Sequence, residues 1–226
     1  MCGVFGFVSY DGKGPSIGQL QKIAIATMSR GPHAFGFSWI DGKGRLHSFK
    51  QSGRIVDNIG LLIMAEDARY LIGHCRYATH GTPENNLNNH PHPVDGGWLV
   101  HNGVVRNYER IIERNDFFPV SECDSEVLGL LIEESEGTLS ERCREAVSEA
   151  CDGPLVMLGL WSRPNKLIAM REGNPLHVGT IGDGKRYYLG SLKTDLPGKV
   201  RAVPDGTGLE FGPTKMRKLK GKATVG

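Results

Sequence analysis

The chain has 226 residues, enough to bury one large core or two small ones. Hydrophobic content of 39%, charged content of 23% and a net charge of +2 are those of an ordinary globular protein, with no global signal for a polyanionic partner. No apolar run approaches the ~20 residues of a membrane span, and the chain start lacks the basic and long apolar stretches of a secretory signal. Five cysteines (Cys2, Cys75, Cys123, Cys143 and Cys151) are scattered without a C-x-x-C pair, which points to free thiols in a reducing, cytoplasmic setting. Cys143 and Cys151 fall on what reads as the apolar face of a helix, the place of buried, inert thiols.

Residues 3–9 are β-prone and end at a turn rich in Asp11, Gly12, Gly14 and Pro15. Over 16–29 the residues Ile17, Leu20, Ile23, Ala24, Thr27 and Met28 recur at helical spacing, which predicts an amphipathic helix. Arg30-Gly31-Pro32-His33 stops it, because proline disfavours helix at the residue before it. Strands are predicted at 34–40 and 45–50, joined by the hairpin signal Asp41-Gly42-Lys43-Gly44. A short helix over 55–66 and a buried strand over 69–75 follow. Segment 81–96, rich in Asn, Pro, His and Gly, reads as loop, and 97–101 as a strand running into His101-Asn102-Gly103. Helices are predicted at 104–114 and at 125–135, the latter with Asp124 as N-cap. A third begins at Thr138-Leu139-Ser140-Glu141, a capping box. Short strands return at 154–161, 165–171, 175–180 and 186–192. With no internal repeat or linker, 1–226 reads as one domain of segregated strand and helix layers, with a basic tail over 213–226.

Chemistry gathers at four places. Cys2 follows the initiator methionine; removal of Met1 would leave a thiol and a free α-amine on one residue, a nucleophile with its own base. Within Gly73-His74-Cys75-Arg76-Tyr77-Ala78-Thr79-His80-Gly81, Arg76 offers a planar fork for a carboxylate at a strand end. Asn102 and the Gly103 amide have the makings of an oxyanion hole, and Asp124, in Ser121-Glu122-Cys123-Asp124-Ser125-Glu126, could hold an ammonium. Arg76 and Asp124 together could clamp the zwitterionic head of an amino acid. Each also has a plain structural reading: surface ion pair for Arg76, helix cap for Asp124, β-turn for Asn102-Gly103.

Met-Cys-Gly-Val-Phe-Gly, His-Cys-Arg-Tyr-Ala-Thr-His-Gly, Asn-His-Pro-His, His-Asn-Gly-Val-Val-Arg-Asn-Tyr and Ser-Glu-Cys-Asp-Ser-Glu occur in that order. Together they resemble the glutaminase domain of the class II (N-terminal-nucleophile) glutamine amidotransferases, as in glucosamine-6-phosphate synthase and amidophosphoribosyltransferase, over nearly all of residues 2–195. The resemblance implies a four-layer α/β/β/α sandwich of the N-terminal-nucleophile hydrolase type, an α+β fold with two facing, mainly antiparallel sheets. It implies that Cys2 attacks the side-chain amide of L-glutamine with its α-amine as base, forming a γ-glutamyl thioester that water hydrolyses, without metal or organic cofactor. Asn102 and Gly103 would hold the oxyanion. Arg76, assisted by Tyr77, Thr79 and His80, would grip the α-carboxylate, Asp124 with the Gly103 carbonyl the α-ammonium, and Arg30-Gly31 would support the nucleophile.

The family continues Arg-Gly with a segment containing Asp and a small residue, where this chain has Pro32-His33-Ala34-Phe35-Gly36. Tyr77 is as in the amidophosphoribosyltransferase type and Ala78-Thr79-His80-Gly81 as in the glucosamine synthase type, so the subfamily stays open. Family members carry a second domain where ammonia is used; here a separate synthase subunit, or a homo-oligomer, is expected to receive it. The alternative within the enzyme class is a stand-alone N-terminal-cysteine amidohydrolase acting on a γ-glutamyl or other small amide. His90-x-His92 with His101 could suggest zinc, but no thiolate pair joins this loop-like stretch, and no metal is expected. Lys215, Arg217, Lys218, Lys220 and Lys222 read as a solvated terminus; without interleaved aromatics they give no single-strand nucleic-acid signal.

Overall fold

A strand buried at every position needs a neighbour on each edge and a layer on each face, and Gly3–Ser9 is such a strand. The computed structural model describes residues 2–150 and 153–219. In chain order the strands are β1 (Gly3–Ser9), β2 (Ala34–Ile40), β3 (Leu46–Ser52), β4 (Tyr70–Arg76), β5 (His92–Val94), β6 (Gly97–Asn102), β7 (Leu155–Ser162), β8 (Asn165–Glu172), β9 (His177–Ile181), β10 (Arg186–Gly190), β11 (Lys199–Ala202), β12 (Thr207–Phe211) and β13 (Met216–Leu219). The helices are α1 (Ile17–Met28), α2 (Tyr108–Asn115), α3 (Glu126–Glu134) and α4 (Leu139–Ala150).

One sheet has the order β11-β9-β10-β1-β4-β2-β3 and the other β13-β12-β8-β7-β6-β5. Val4, Val8 and Ile72 of the first sheet meet Val100, Leu158 and Leu160 of the second in a core between the sheets. Leu20, Ile23 and Ala24 of α1 pack on the outer face of the first sheet against Phe5, Phe7 and Leu71. Val127, Leu131, Cys143 and Val147 of α3 and α4 pack on the outer face of the second against Leu99, Met157 and Ile168. Helix, sheet, sheet, helix: this is the sandwich that the resemblance implies, an α+β fold of two antiparallel sheets flanked by helices. Cys143 is fully buried, as its helical position predicts, whereas Cys151 lies outside the described residues.

Three segments depart from the sequence reading for local reasons. Residues 55–65 form 3-10 turns broken at Asn58 rather than an α-helix; Ile55, Val56, Ile59 and Ile63 are β-branched and Gly60 adds backbone freedom, all poor for an α-helix. Helix α2 starts at Tyr108, not 104, and the Val105 N–H ahead of it donates to Asp124 (2.6 Å). Asp124 therefore does not cap α3, whose N-cap residue is Ser125. Beyond residue 192 the chain adds β11, β12 and β13, and Met216–Leu219 of the basic segment is an edge strand paired with β12. Lys220 and Lys222 lie outside the described residues.

Candidate active site

Cys2 sits just ahead of β1, the central strand of its sheet, and the pairing of Gly3 with Cys75 sets it beside the exit of β4. There its Sγ meets the Tyr77 backbone twice, receiving the N–H at 3.3 Å and lying 3.4 Å from the carbonyl oxygen. Burial pushes the Cys2 thiol up, while the Tyr77 N–H and the Arg76 charge pull against it, so the sulfur needs a base to become a thiolate.

The Arg-Gly pair after α1 braces this corner from both sides. Arg30 Nε donates to the Cys2 carbonyl at 2.8 Å. Gly31 lies against the Arg76–Tyr77 peptide so closely that a Cβ would stand 2.4 Å from the Arg76 carbonyl carbon and from the Tyr77 nitrogen. His33, in the 32–36 segment that departs from the family pattern, joins in: its N–H donates to the Arg76 carbonyl at 3.0 Å and its Nδ1 accepts from Ala78 N–H at 3.0 Å. Its ring also packs on Tyr77, 4.7 Å between centroids. The coupling of the nucleophile corner to the 77–81 loop thus runs through His33. Sequence reasoning flagged this position only as a departure.

Cys2 opens on a cleft of about 220 Å³ shared by Tyr77, Thr79, Asn102 and Gly103. Asn102, at the end of β6, comes from the opposite sheet and is fully buried, yet neither its Nδ2 nor its Oδ1 has a hydrogen-bond partner. A buried amide left unpartnered costs free energy unless something else uses it. Asn174 fixes its backbone, with Nδ2 donating to the carbonyls of Asn102 (2.9 Å) and Pro154 (3.0 Å). Asn174 and Arg106 also line the cleft, and the sequence reading missed both. Asn174 sits in a Gly-Asn-Pro turn that looks like any other loop, and Arg106 falls within the 104–114 segment read as ordinary helix.

Arg76, His80 and Asp124 lie together behind the cleft rather than on its wall. The guanidinium of Arg76, 2% exposed, donates to Asn89 Oδ1 (2.9 Å), to the Gly81 carbonyl (3.0 Å) and to the His80 carbonyl. Asp124, also 2% exposed, holds Val105 N–H and has His80 Nδ1 3.6 Å from its Oδ1. Arg76 is thus no surface ion pair; His80 joins a buried cation and a buried anion, with its carbonyl on Arg76 and its Nδ1 beside Asp124.

No family model matches the chain. The structure resembles glutamine phosphoribosylpyrophosphate amidotransferase from B. subtilis (TM-score 0.79, 24% identity, 96% of this chain and 48% of that one). It also resembles a glutamine aminotransferase class-II domain protein from Silicibacter pomeroyi (TM-score 0.67, 14% identity, 96% of this chain and 98% of that one). These likenesses establish the fold as the N-terminal-nucleophile sandwich in its class II amidotransferase form. In sequence the chain is similar to the isomerizing glutamine–fructose-6-phosphate aminotransferases of Aeropyrum pernix (34% identity, 94% of this chain) and Aquifex aeolicus (32%, 91%). It spans 35% of the length of each of these relatives. The chain belongs to the class II glutamine amidotransferases, as a domain related to the glutaminase domains of the fructose-6-phosphate and phosphoribosylpyrophosphate enzymes.

Proposed function

We propose that this domain hydrolyses the side-chain amide of L-glutamine and delivers the ammonia to an acceptor. The observation that carries the reading is the Cys2 thiol sharing a cleft with the unpartnered amide of Asn102. With Met1 removed, the α-amine of Cys2 takes the thiol proton, and the thiolate attacks the glutamine Cδ. Asn102 Nδ2 and the Gly103 N–H receive the developing oxyanion, which answers why a donor is buried with nothing to donate to. The α-ammonium then protonates the leaving nitrogen, ammonia departs, and water attacks the γ-glutamyl thioester to release glutamate and the thiol.

The head group of glutamine takes over contacts that the 77–81 loop makes on itself. Its α-carboxylate replaces the His80 and Gly81 carbonyls on Arg76, and its α-ammonium replaces His80 beside Asp124. The curated relatives are named as aminotransferases of glutamine and fructose 6-phosphate. By that likeness the ammonia passes to an acceptor site on a synthase subunit or a neighbouring copy. A stand-alone amidohydrolase acting on other γ-glutamyl compounds is the rival, and a buried cation and a buried anion joined through His80 favour a free amino-acid head.

Intact-mass measurement with a glutamine-like electrophile tests the proposal. Material lacking Met1 gains one adduct, Cys2→Ala gains none, and glutamine protects. N-acyl glutamine, which lacks the ammonium, is turned over far more slowly than glutamine. Equal turnover of the two would transfer the reading to the rival, and turnover by chains that retain Met1 would remove the base assigned here.

A further inference from the structure

Behind Arg76, the loop leading into β5 and the segment before α3 bring two imidazoles and a thiol to one point. His90, His92 and Cys123 each offer a ligand atom, and these atoms lie within 4.8 Å of one another. All three residues are buried, at 2%, 1% and 6% exposure. Both ring nitrogens of His90 and Nε2 of His92 are shut away from solvent with no hydrogen-bond partner. Packing alone gives no reason for three orphaned imidazole nitrogens beside a thiol, since buried polar atoms are nearly always paired. The sequence reading weighed His101 as a companion of His90 and His92 and set zinc aside, because the stretch is loop-like, no thiolate pair joins it and the family resemblance accounts for it without metal. In the folded chain the third member is Cys123, 31 residues beyond His92 in sequence and adjacent in space.

We propose that His90, His92 and Cys123 form a binding site for a borderline-soft divalent cation of the zinc type, tying the 81–92 loop to the segment that carries Asp124. Two imidazoles and one thiolate are a donor set suited to such an ion, with the fourth position left to water. Bond lengths of about 2.0–2.3 Å place tetrahedral ligand atoms about 3.3–3.7 Å apart, so the cluster closes by about 1 Å around the ion. Burial holds both imidazoles neutral, the state that ligates. Burial also pushes the Cys123 thiol up to about 12, so the ion displaces its proton to solvent as the metal–sulfur bond forms. Lys50 and Arg76 face the cluster as cations, Asp124 faces Cys123 as an anion and Glu126 faces Lys50; these four charges cancel, and the thiolate-bound dication adds a single positive charge to the site. His74 packs at a tilt on His90, with centroids 3.9 Å apart.

The test uses the full chain in a Cys2→Ala background, because a terminal cysteine can itself chelate. After loading with zinc and gel filtration, plasma mass spectrometry reads about one equivalent per chain. Cobalt(II) gives a thiolate charge-transfer band in the near ultraviolet together with tetrahedral bands in the visible. Cys123→Ser abolishes the thiolate band, His92→Ala weakens zinc binding about 100-fold or more, and Cys143→Ser leaves both unchanged. Zinc also raises the thermal midpoint of the parent and not of Cys123→Ser. Should Cys123→Ser fail to fold, the cobalt spectrum of the parent decides. No retained zinc, or cobalt without a thiolate band, overturns the site, as does a thiolate band that survives the loss of Cys123.

Discussion

Asn102 presents an amide to a cleft and gets nothing back from the protein, whereas its own carbonyl is held by Asn174. That asymmetry marks a donor kept for a transient partner. Asn102→Ala therefore lowers kcat about 10²–10³-fold with little change in KM, because the lost bond forms only in the transition state. Steady-state glutaminase kinetics beside an unchanged circular-dichroism spectrum checks it; a kcat within a few-fold of the parent would assign the oxyanion elsewhere. Several residues announce by their type the roles proposed for them: the thiol of Cys2, the charges of Arg76 and Asp124. Others did not. Asn174 and His33 act through hydrogen bonds to backbone, which leave no pattern in sequence, and Cys123 reads as an ordinary thiol until His90 and His92 are brought beside it.

Two turns carry much of the local design. The Arg30-Gly31 stop after α1 presses on the Arg76–Tyr77 peptide whose N–H meets the Cys2 sulfur. In Gly31→Ala the new Cβ must push that peptide away, at a cost of about 1–3 kcal/mol in stability and a fall in kcat. Denaturant melts and kinetics on one preparation separate the two, and an unchanged kcat would mean that the Tyr77 contact does not matter to the sulfur. The β2–β3 hairpin turns on Asp41, 2% exposed, which accepts from the N–H groups of Lys43 (2.8 Å) and Arg45 (2.9 Å), from Arg45 Nε (2.7 Å) and from His47 (3.1 Å). Burial by itself would raise its carboxyl, but these donors outweigh burial and hold it well below the usual carboxylate range. A carboxylate depressed by folding stabilises the native state above its unfolded value of about 3.9, and that contribution is lost as pH falls through the folded value. The stability gap between the parent and Asp41→Asn is thus widest near neutrality and narrows below pH about 4. Urea midpoints across pH would contradict this if the gap stayed constant.

At the scale of the molecule, the site exists because two sheets face each other. Cys2 comes from the start of β1 in one sheet and Asn102 from the end of β6 in the other, and the core between the sheets sets their separation. Leu158 of β7 is fully buried in that core, close to Gly6 of β1. Leu158→Ala leaves a cavity there and costs about 2–5 kcal/mol, read from the denaturant midpoint. A smaller cost would mean that the sheets collapse onto the gap. Glutaminase activity falls with it only if sheet spacing sets the distance from sulfur to amide.

Short-range chemistry is written along the chain, and the sequence alone determined whatever depends on it. Helical spacing in α1, the hairpin at Asp41–Gly44, the capping box of Thr138 and Glu141 (2.9 Å from N–H to carboxylate) and the five ordered motifs were all legible before folding. The tertiary structure decided what depends on distant residues meeting. It started α2 four residues late, with Val105 N–H held by Asp124, added β11 and β13 as sheet edges with β12 between β13 and β8, and placed Arg76 and Asp124 under the 77–81 loop. It also brought Cys123 beside His90 and His92, a neighbour that no local pattern announces. Hydrogen bonds and packing between segments dozens of residues apart follow from the closure of the sandwich, and no local period or propensity encodes them.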